Sequence, residues 1–167
     1  MEAFTAGILT VSDKGSRGER TDTAGPALKT MLEAAGFAVL KYEVLPDEED
    51  RIRDTLIAWA DLHRINLILT AGGTGFAPRD RTPEATAAVI ERPAPGISEA
   101  IRWSGLQKTP RAMLSRGVSG ARGRSLIINL PGSERGARES LEAVLASLPH
   151  ALELLLGRGG ECGRPVK

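Results

Sequence analysis

NLILTAGGTGFAPRDRTPEAT, residues 66–86, sets the reading of the whole chain. A short apolar run, Leu67, Ile68 and Leu69, leads into Gly72, Gly73, Thr74 and Gly75. The pair Arg79-Asp80 follows, and Thr82-Pro83-Glu84 has the form of a helix opening. The order is strand, glycine loop, charged pair, helix. Glycine accepts positive φ and lets the backbone approach a ligand, so successive N–H groups can form a concave anion site. Three glycines alone fit a tight strand-to-helix turn equally well. The dipeptide shifts the balance, because a turn needs neither residue. A guanidinium fork suits phosphate or carboxylate, and a carboxylate can hold a cation or accept from a ring nitrogen.

Working outward, Phe4 to Val11 reads as a buried strand, and the polar stretch from Ser12 to Asp22 as a loop. Pro26 marks the first turn of a helix reaching about Ala35, with Leu28, Met31 and Leu32 on one face. Phe37 to Leu45 is a second strand ending at Pro46-Asp47, where Asp47 by itself suits a cap for the helix that follows. The period of about 30 residues per step is that of βαβ units, whose right-handed crossovers make the strands parallel. Beyond a helix from Thr82 to about Ile90, two prolines and a glycine break the chain. Ser98 can cap a helix to about Gly105, and 109–115 suggests a short helical piece. Arg124 to Leu130 is a further buried strand, followed by Pro131-Gly132-Ser133 and a helix from about Arg135 to Leu148. Pro149 separates that helix from a last one, His150 to Leu156. Residues 1–156 are expected to form a single domain, and 157–167 a flexible tail.

The 167 residues carry a net charge of +1, which gives no global field for nucleic acid or membrane, although 17 of the 22 basic residues are Arg. The single Cys162 has no partner, so a reducing compartment, the cytoplasm, is expected. With only His63 and His150 beside it, no zinc spacing exists, and any metal rests on oxygen ligands. No secretory signal and no long apolar run is present.

Ligands of open parallel α/β sheets bind beyond the carboxyl ends of the strands. The loops at Ser12, Pro46-Asp47, Ala71 to Asp80 and Pro131 to Ser133 all follow strand ends, so Asp47 and Asp80 can share one rim. Two carboxylates would repel a phosphate unless a cation intervened, and Mg²⁺ held by them together with substrate phosphates is the usual resolution. Neither GxxxxGK[ST] nor an early GxGxxG occurs, which removes Walker-type and NAD readings. Ser12 and Ser133 lack a His partner for a nucleophilic triad.

GGTG at 72–75, RD at 79–80, TPEAT at 82–86, PD at 46–47, LSR at 114–116 and NLPGS at 129–133 together resemble the molybdopterin adenylyltransferase family, which includes bacterial Mog-type proteins and the G domain of gephyrin. The resemblance implies a three-layer α/β/α domain with a mostly parallel sheet, commonly a homotrimer. It implies transfer of AMP from Mg-ATP to the phosphate of molybdopterin, with pyrophosphate released and the product passed to a molybdate-insertion protein. On matching positions, Asp47 and Asp80 would be catalytic and handle Mg²⁺. Gly72, Gly73, Thr74 and Gly75 would supply backbone donors. Ser12, Asp13 and Arg79 would serve the pterin and phosphate sites, with Asn129, Pro131, Gly132 and Ser133 lining the same rim and Ser115 and Arg116 as further candidates. A binding module of the same fold that does not adenylylate is the alternative.

Overall fold

The computed structural model describes residues 3–158; Cys162 and residues 159–167 of the expected tail lie outside the described residues. The strands in chain order are β1 (Thr5–Val11), β2 (Ala38–Leu45), β3 (Leu67–Ala71), β4 (Arg92–Pro93), β5 (Ser119–Arg122) and β6 (Ser125–Leu130). They form one sheet in the order β2-β1-β3-β6-β5-β4. The first four in that order are parallel, while at the edge β5 runs antiparallel to β6 and β4 antiparallel to β5.

Seven α-helices flank the sheet among the described residues: α1 (Asp13–Ser16), α2 (Ala24–Ala34), α3 (Glu49–Ile57), which runs on into a π-helical turn (Ala58–Leu62), α4 (Thr82–Ala87), α5 (Pro95–Leu106), α6 (Glu134–Leu145) and α7 (Leu148–Leu155). The side-chain period of two sends alternate residues of each central strand to opposite faces. Ala6, Ile8, Leu67, Leu69, Leu126 and Ile128 pack with α2, α5, α6 and α7. Leu9, Val11, Ile68 and Ile127 meet α3, α4 and the indole of Trp59 on the other face. This is the expected three-layer arrangement, and burial of both faces explains why β1, β3 and β6 read as continuous apolar runs.

Register positions the site. Val11 is level with Leu45, Thr10 with Ala71, and Ala71 with Leu130, so four loops leave the sheet side by side. The chain runs outward from β1 to β2 and returns past it to β3. The gap between β1 and β3 is therefore the topological switch point, the usual ligand crevice of such sheets.

Several expectations are corrected. Ser98 caps nothing: α5 already begins at Pro95, and the buried Ser98 hydroxyl lies 2.7 Å from that of Ser119. Pro149 sits in the first turn of α7, where its missing N–H costs no bond, so the break falls at Ala146-Ser147. The Ser12 loop contains the one-turn helix α1, capped by Ser12 Oγ accepting from Gly15 N–H at 3.0 Å. The strands β4 and β5 were not expected. Their hairpin to β6 turns through Gly123-Arg124 with Gly123 at φ +50°, a two-residue connection. Residues 110–114 form a 3₁₀ turn, close to the expected helical piece. Among the described residues no helix is long and apolar enough to cross a membrane.

Candidate active site

Two adjacent strand ends are tied together first. Asp13 N–H donates to Asp47 Oδ2 at 2.8 Å, and Asp47 N–H donates back to Asp13 Oδ1 at 3.0 Å. Ser12 N–H donates to the Leu45 carbonyl at 2.8 Å. This reciprocal clasp holds the loops after β1 and β2 in register. It also overturns the capping role of Asp47, since Glu48 occupies the cap position of α3 and makes no side-chain cap bond. Arg79 reaches across from the glycine loop and grips Asp13 with a two-pronged fork, at 2.5 and 2.8 Å. The expected phosphate-binding guanidinium is thus engaged by a carboxylate.

The glycine loop lies over the switch point. Gly72 (φ +111°) and Gly73 (φ +65°) occupy the left-handed region, where a side chain is strained. A Cβ on Gly72 would strike the Val11 carbonyl, and one on Gly73 would strike Thr82 Oγ1 and stand 3.1 Å from Asp47 Oδ1. A Cβ on Gly75 would lie 2.9 Å from Asp80 Oδ2, so Asp47 and Asp80 bracket the loop from its two ends. The Gly72 N–H donates to the Leu130 carbonyl at 3.0 Å and is not available to a ligand. The N–H groups of Gly73, Thr74 and Gly75 have no acceptor among the described residues. The loop thus offers three donors rather than four.

Arg116 shapes this loop from beneath. Its guanidinium donates to the carbonyls of Gly75 and Asp80, each at 2.7 Å, and pairs with Glu84, while its N–H donates to the Thr74 carbonyl at 2.9 Å. Both ends of the excursion from 75 to 80 are pinned by one side chain. Asp80 Oδ2 accepts from Ala77 N–H at 2.9 Å, which fixes the carboxylate near the loop.

Two cavities flank the glycine loop. One, of about 330 Å³, is lined by Ser12, Asp47, Gly72, Gly73, Asp80 and Gly132, with Arg20 and Asp22. The other, of about 340 Å³, runs past Thr74, Gly75, Ser115 and Pro131 to apolar Ile101, Ala112 and Leu114. Ser133, which caps α6 by accepting from Gly136 N–H at 3.1 Å, lines both. Of the sequence-assigned residues, Asn129 stands apart. Its Nδ2 donates to Thr70 and Thr86 at 2.9 Å each, and its Oδ1 accepts from Val118 N–H at 3.1 Å. The buried amide is saturated and braces β6, α4 and the segment entering β5 behind the rim.

Burial raises the Asp47 carboxyl above its ordinary value, and the neighbouring Asp13 and Asp80 charges push it the same way. Asp13 moves in the opposite sense, because Arg79 stabilises its charged form. Residues not singled out in the sequence also reach the site. Asp22 accepts from Thr10 Oγ1 at 2.7 Å, from Tyr42 OH at 2.6 Å and from Gly25 N–H at 3.2 Å. Tyr42 is raised by its own desolvation and by that carboxylate, so it remains a hydrogen-bond donor. Arg20 lines the acidic cavity and has no carboxylate partner among the described residues. Thr82 Oγ1 is fully buried beside Gly73 without a hydrogen-bond partner. An Asp shortly before a helix reads as a cap and a Thr-Pro as a helix opening, so local sequence carries little signal for either.

The carboxylates of Asp47 and Asp80, which line one cavity, suit a hard cation. Among the described residues no three His, Cys, Asp or Glu side chains gather into a closed metal cage. Two carboxylates leaving most ligand positions to waters and phosphates is the usual Mg²⁺ arrangement.

Residues 7–150 match a family described as "Probable molybdopterin binding domain". A molybdopterin adenylyltransferase of Helicobacter pylori (strain J99) is 42% identical over 159 residues, covering 94% of this chain and 90% of that protein. Dictyostelium discoideum gephyrin is 43% identical over 164 residues; the match covers 92% of this chain but 23% of gephyrin. The crystal structure of the molybdopterin biosynthesis enzyme MoaB from Thermus thermophilus superposes with a TM-score of 0.88 at 60% identity, covering 92% of this chain and 97% of that one. With the family match over most of its length and the fold in common, the chain belongs to the molybdopterin-binding domain family of molybdenum cofactor biosynthesis.

Proposed function

We propose that the protein is a molybdopterin adenylyltransferase: an oxygen of the molybdopterin phosphate attacks the α-phosphorus of ATP, forming a new O–P bond as the bond to the β-phosphate oxygen breaks and pyrophosphate leaves. The observation that carries this reading is the bracketing of three acceptor-free N–H groups, on Gly73, Thr74 and Gly75, by the carboxylates of Asp47 and Asp80. Adenylyl transfer brings two polyanions together, and its nucleophile is already anionic. Positioning and electrostatic stabilisation therefore carry the catalysis, and no strong general base is required.

Two cavities meeting at Ser133 suit two substrates. The one bounded by Ile101, Ala112 and Leu114 can seat a ring system, and the one with Arg20, Asp47 and Asp80 suits phosphates. Asp47 and Asp80 would hold Mg²⁺, which supplies charge neutralisation between the phosphates when bound. The Gly73–Gly75 donors face charge that builds on the equatorial oxygens, and Arg20 adds a cation on the open side. The clasp between Asp13 and Asp47, with Arg79 across it, keeps the Asp47 carboxylate oriented; Arg116 does the same for the loop backbone.

We further propose that the chain works as a homotrimer in the cytoplasm and hands its product to a molybdate-insertion protein. Support for assembly comes from Trp103, Leu106, Met113 and Leu114, large apolar side chains that stay exposed on α5 and the 3₁₀ turn packed beside it. Incubation of the purified protein with molybdopterin, ATP and Mg²⁺, followed by mass spectrometry, tests the activity. Adenylylated molybdopterin is the expected product. Tight pterin binding with no adenylylated species would assign the chain to the binding-only class.

A further inference from the structure

At the other end of the sheet, where the strands begin, lies a cavity of about 400 Å³ that adenylyl transfer does not use. Its wall combines the start of β1 (Phe4 and Thr5), the loop into β3 (Arg64 and Asn66), the hairpin turn into β6 (Arg124) and the segment after α7 (Leu156 and Arg158). A seven-residue β1 separates it from the catalytic rim by about 20 Å.

Every charged group in that wall is a guanidinium. Around the catalytic rim, Arg79, Arg81 and Arg116 are each held by a carboxylate, and Arg122 pairs with Asp61. Arg64, Arg124 and Arg158 have no such partner among the described residues, and no acidic side chain lines the cavity. Arg64 is also the one described non-glycine residue with positive φ, at +53°. That backbone costs about 1 kcal/mol or more for a residue with a Cβ, so its placement here is a strained one.

A fourth donor is fixed among them. Asn66 Oδ1 accepts from Thr5 N–H at 3.0 Å and Thr5 Oγ1 at 3.1 Å, while Asn66 N–H donates to Thr5 Oγ1 at 3.0 Å. With the oxygen end of the amide locked on Thr5, the Nδ2 end is left as a donor with no acceptor among the described residues. Three cations and an oriented N–H₂ are more than one carboxylate can satisfy, and they match the charge and the several acceptor oxygens of a phosphate group. Phe4 and Leu156 give the cavity an apolar side.

We propose that this pole of the molecule is a second anion site that binds a phosphate group, free or carried by a small organic molecule, independently of the catalytic rim. The test is residue-resolved ¹⁵N NMR of the full chain, titrated with inorganic phosphate and separately with phenyl phosphate, against sodium chloride at matched ionic strength. Saturable shifts of the Asn66 side-chain N–H₂ and the Thr5 amide with the phosphates, and not with chloride, are expected. Tighter binding of phenyl phosphate assigns the site to an organic phosphate, and equal binding to the free ion. The double variant Arg64→Gly with Arg124→Gln keeps the left-handed backbone and removes two cations. It should weaken binding at least about tenfold, the scale of one lost charge-assisted contact, while leaving adenylyl transfer unchanged. Equal shifts with chloride, unchanged affinity in the double variant, or phosphate-induced shifts confined to residues 73–75 would each overturn the proposal.

Discussion

Asp47 and Asp13 hold each other's backbone yet titrate in opposite senses, and the consequence for stability can be signed. Burial, and then the Asp13 and Asp80 charges, hold the Asp47 carboxyl above the ordinary Asp value of 3.8. The folded state therefore keeps that proton more tightly than the unfolded chain, and stability falls as pH climbs from 3.8 through the raised value. Asp13 is lowered by Arg79, so its contribution is complete above 3.8 and is lost as pH falls through its lowered value. Asp47→Asn keeps an oxygen for the Asp13 N–H and removes the charge. Its melting temperature should exceed that of the parent protein at neutral pH, with the gap closing toward acid, while AMP transfer is lost; calorimetry across pH showing a lower melting temperature at neutrality would contradict this account. Asn129 gives a contrasting case. Its motif reads as part of the ligand rim, but its amide is saturated by Thr70, Thr86 and Val118. Asn129→Ala should cost about 1–3 kcal/mol of stability, the scale for stranding buried partners, and leave KM for both substrates nearly unchanged. A large KM rise without destabilisation would restore the substrate-contact role. The sequence places Asp47, Asp80 and the loop correctly at one rim because strand ends and glycines are local signals. It cannot show that Arg79 is engaged by Asp13 while Arg20 is not, since that depends on which side chains meet across loops distant in the chain.

At the scale of the element, the glycine loop separates two kinds of necessity. Gly18 and Gly73 both have positive φ, +73° and +65°, but a Cβ at Gly18 meets nothing within 4 Å whereas one at Gly73 collides with Thr82 and crowds Asp47. Gly18→Ala should therefore lose only the backbone preference, about 1 kcal/mol, with activity intact. Gly73→Ala should lose more stability and nearly all activity. Denaturant melts and turnover of the two variants side by side check this; equal effects would mean that backbone preference alone requires Gly73. Among the elements legible in the sequence were β1, β2, β3 and β6, together with α2 and the body of α6, all of which carry a clear apolar pattern. The edge pair β4 and β5 was not, because Arg92-Pro93 and Ser119–Arg122 are too short to show alternation. Gly120, where a Cβ would stand 2.8 Å from the Arg92 carbonyl, is required by close strand approach and resembles an ordinary loop glycine in sequence. The one-turn helix α1 was hidden for a similar reason, since four residues carry no periodicity.

Over the whole molecule, strand order converts this local chemistry into a site. The level ends of β2, β1, β3 and β6 present their loops together, and the reversal between β1 and β3 opens the crevice that the glycine loop covers. Strands β5 and β4 extend the sheet beyond β6, and α5 and the 3₁₀ turn packed beside it carry Trp103, which is 67% exposed, and Met113, which is 62% exposed. By light scattering the parent protein is expected to be the proposed trimer, and the paired substitutions Trp103→Glu with Met113→Glu to leave a folded monomer; a parent protein that is monomeric would refute the assembly. In the proposed mechanism, catalysis rests on Asp80 acting with the glycine loop on two bound phosphates. The direct measurement is pyrophosphate release from Mg-ATP, with and without molybdopterin, by the parent protein and by Asp80→Asn. Release is expected to require molybdopterin and to fall about a hundredfold or more in kcat for the variant, the loss typical of one pre-organised electrostatic group, with pterin affinity little changed. Release that ignores molybdopterin, or a variant that turns over as the parent does, would contradict the mechanism.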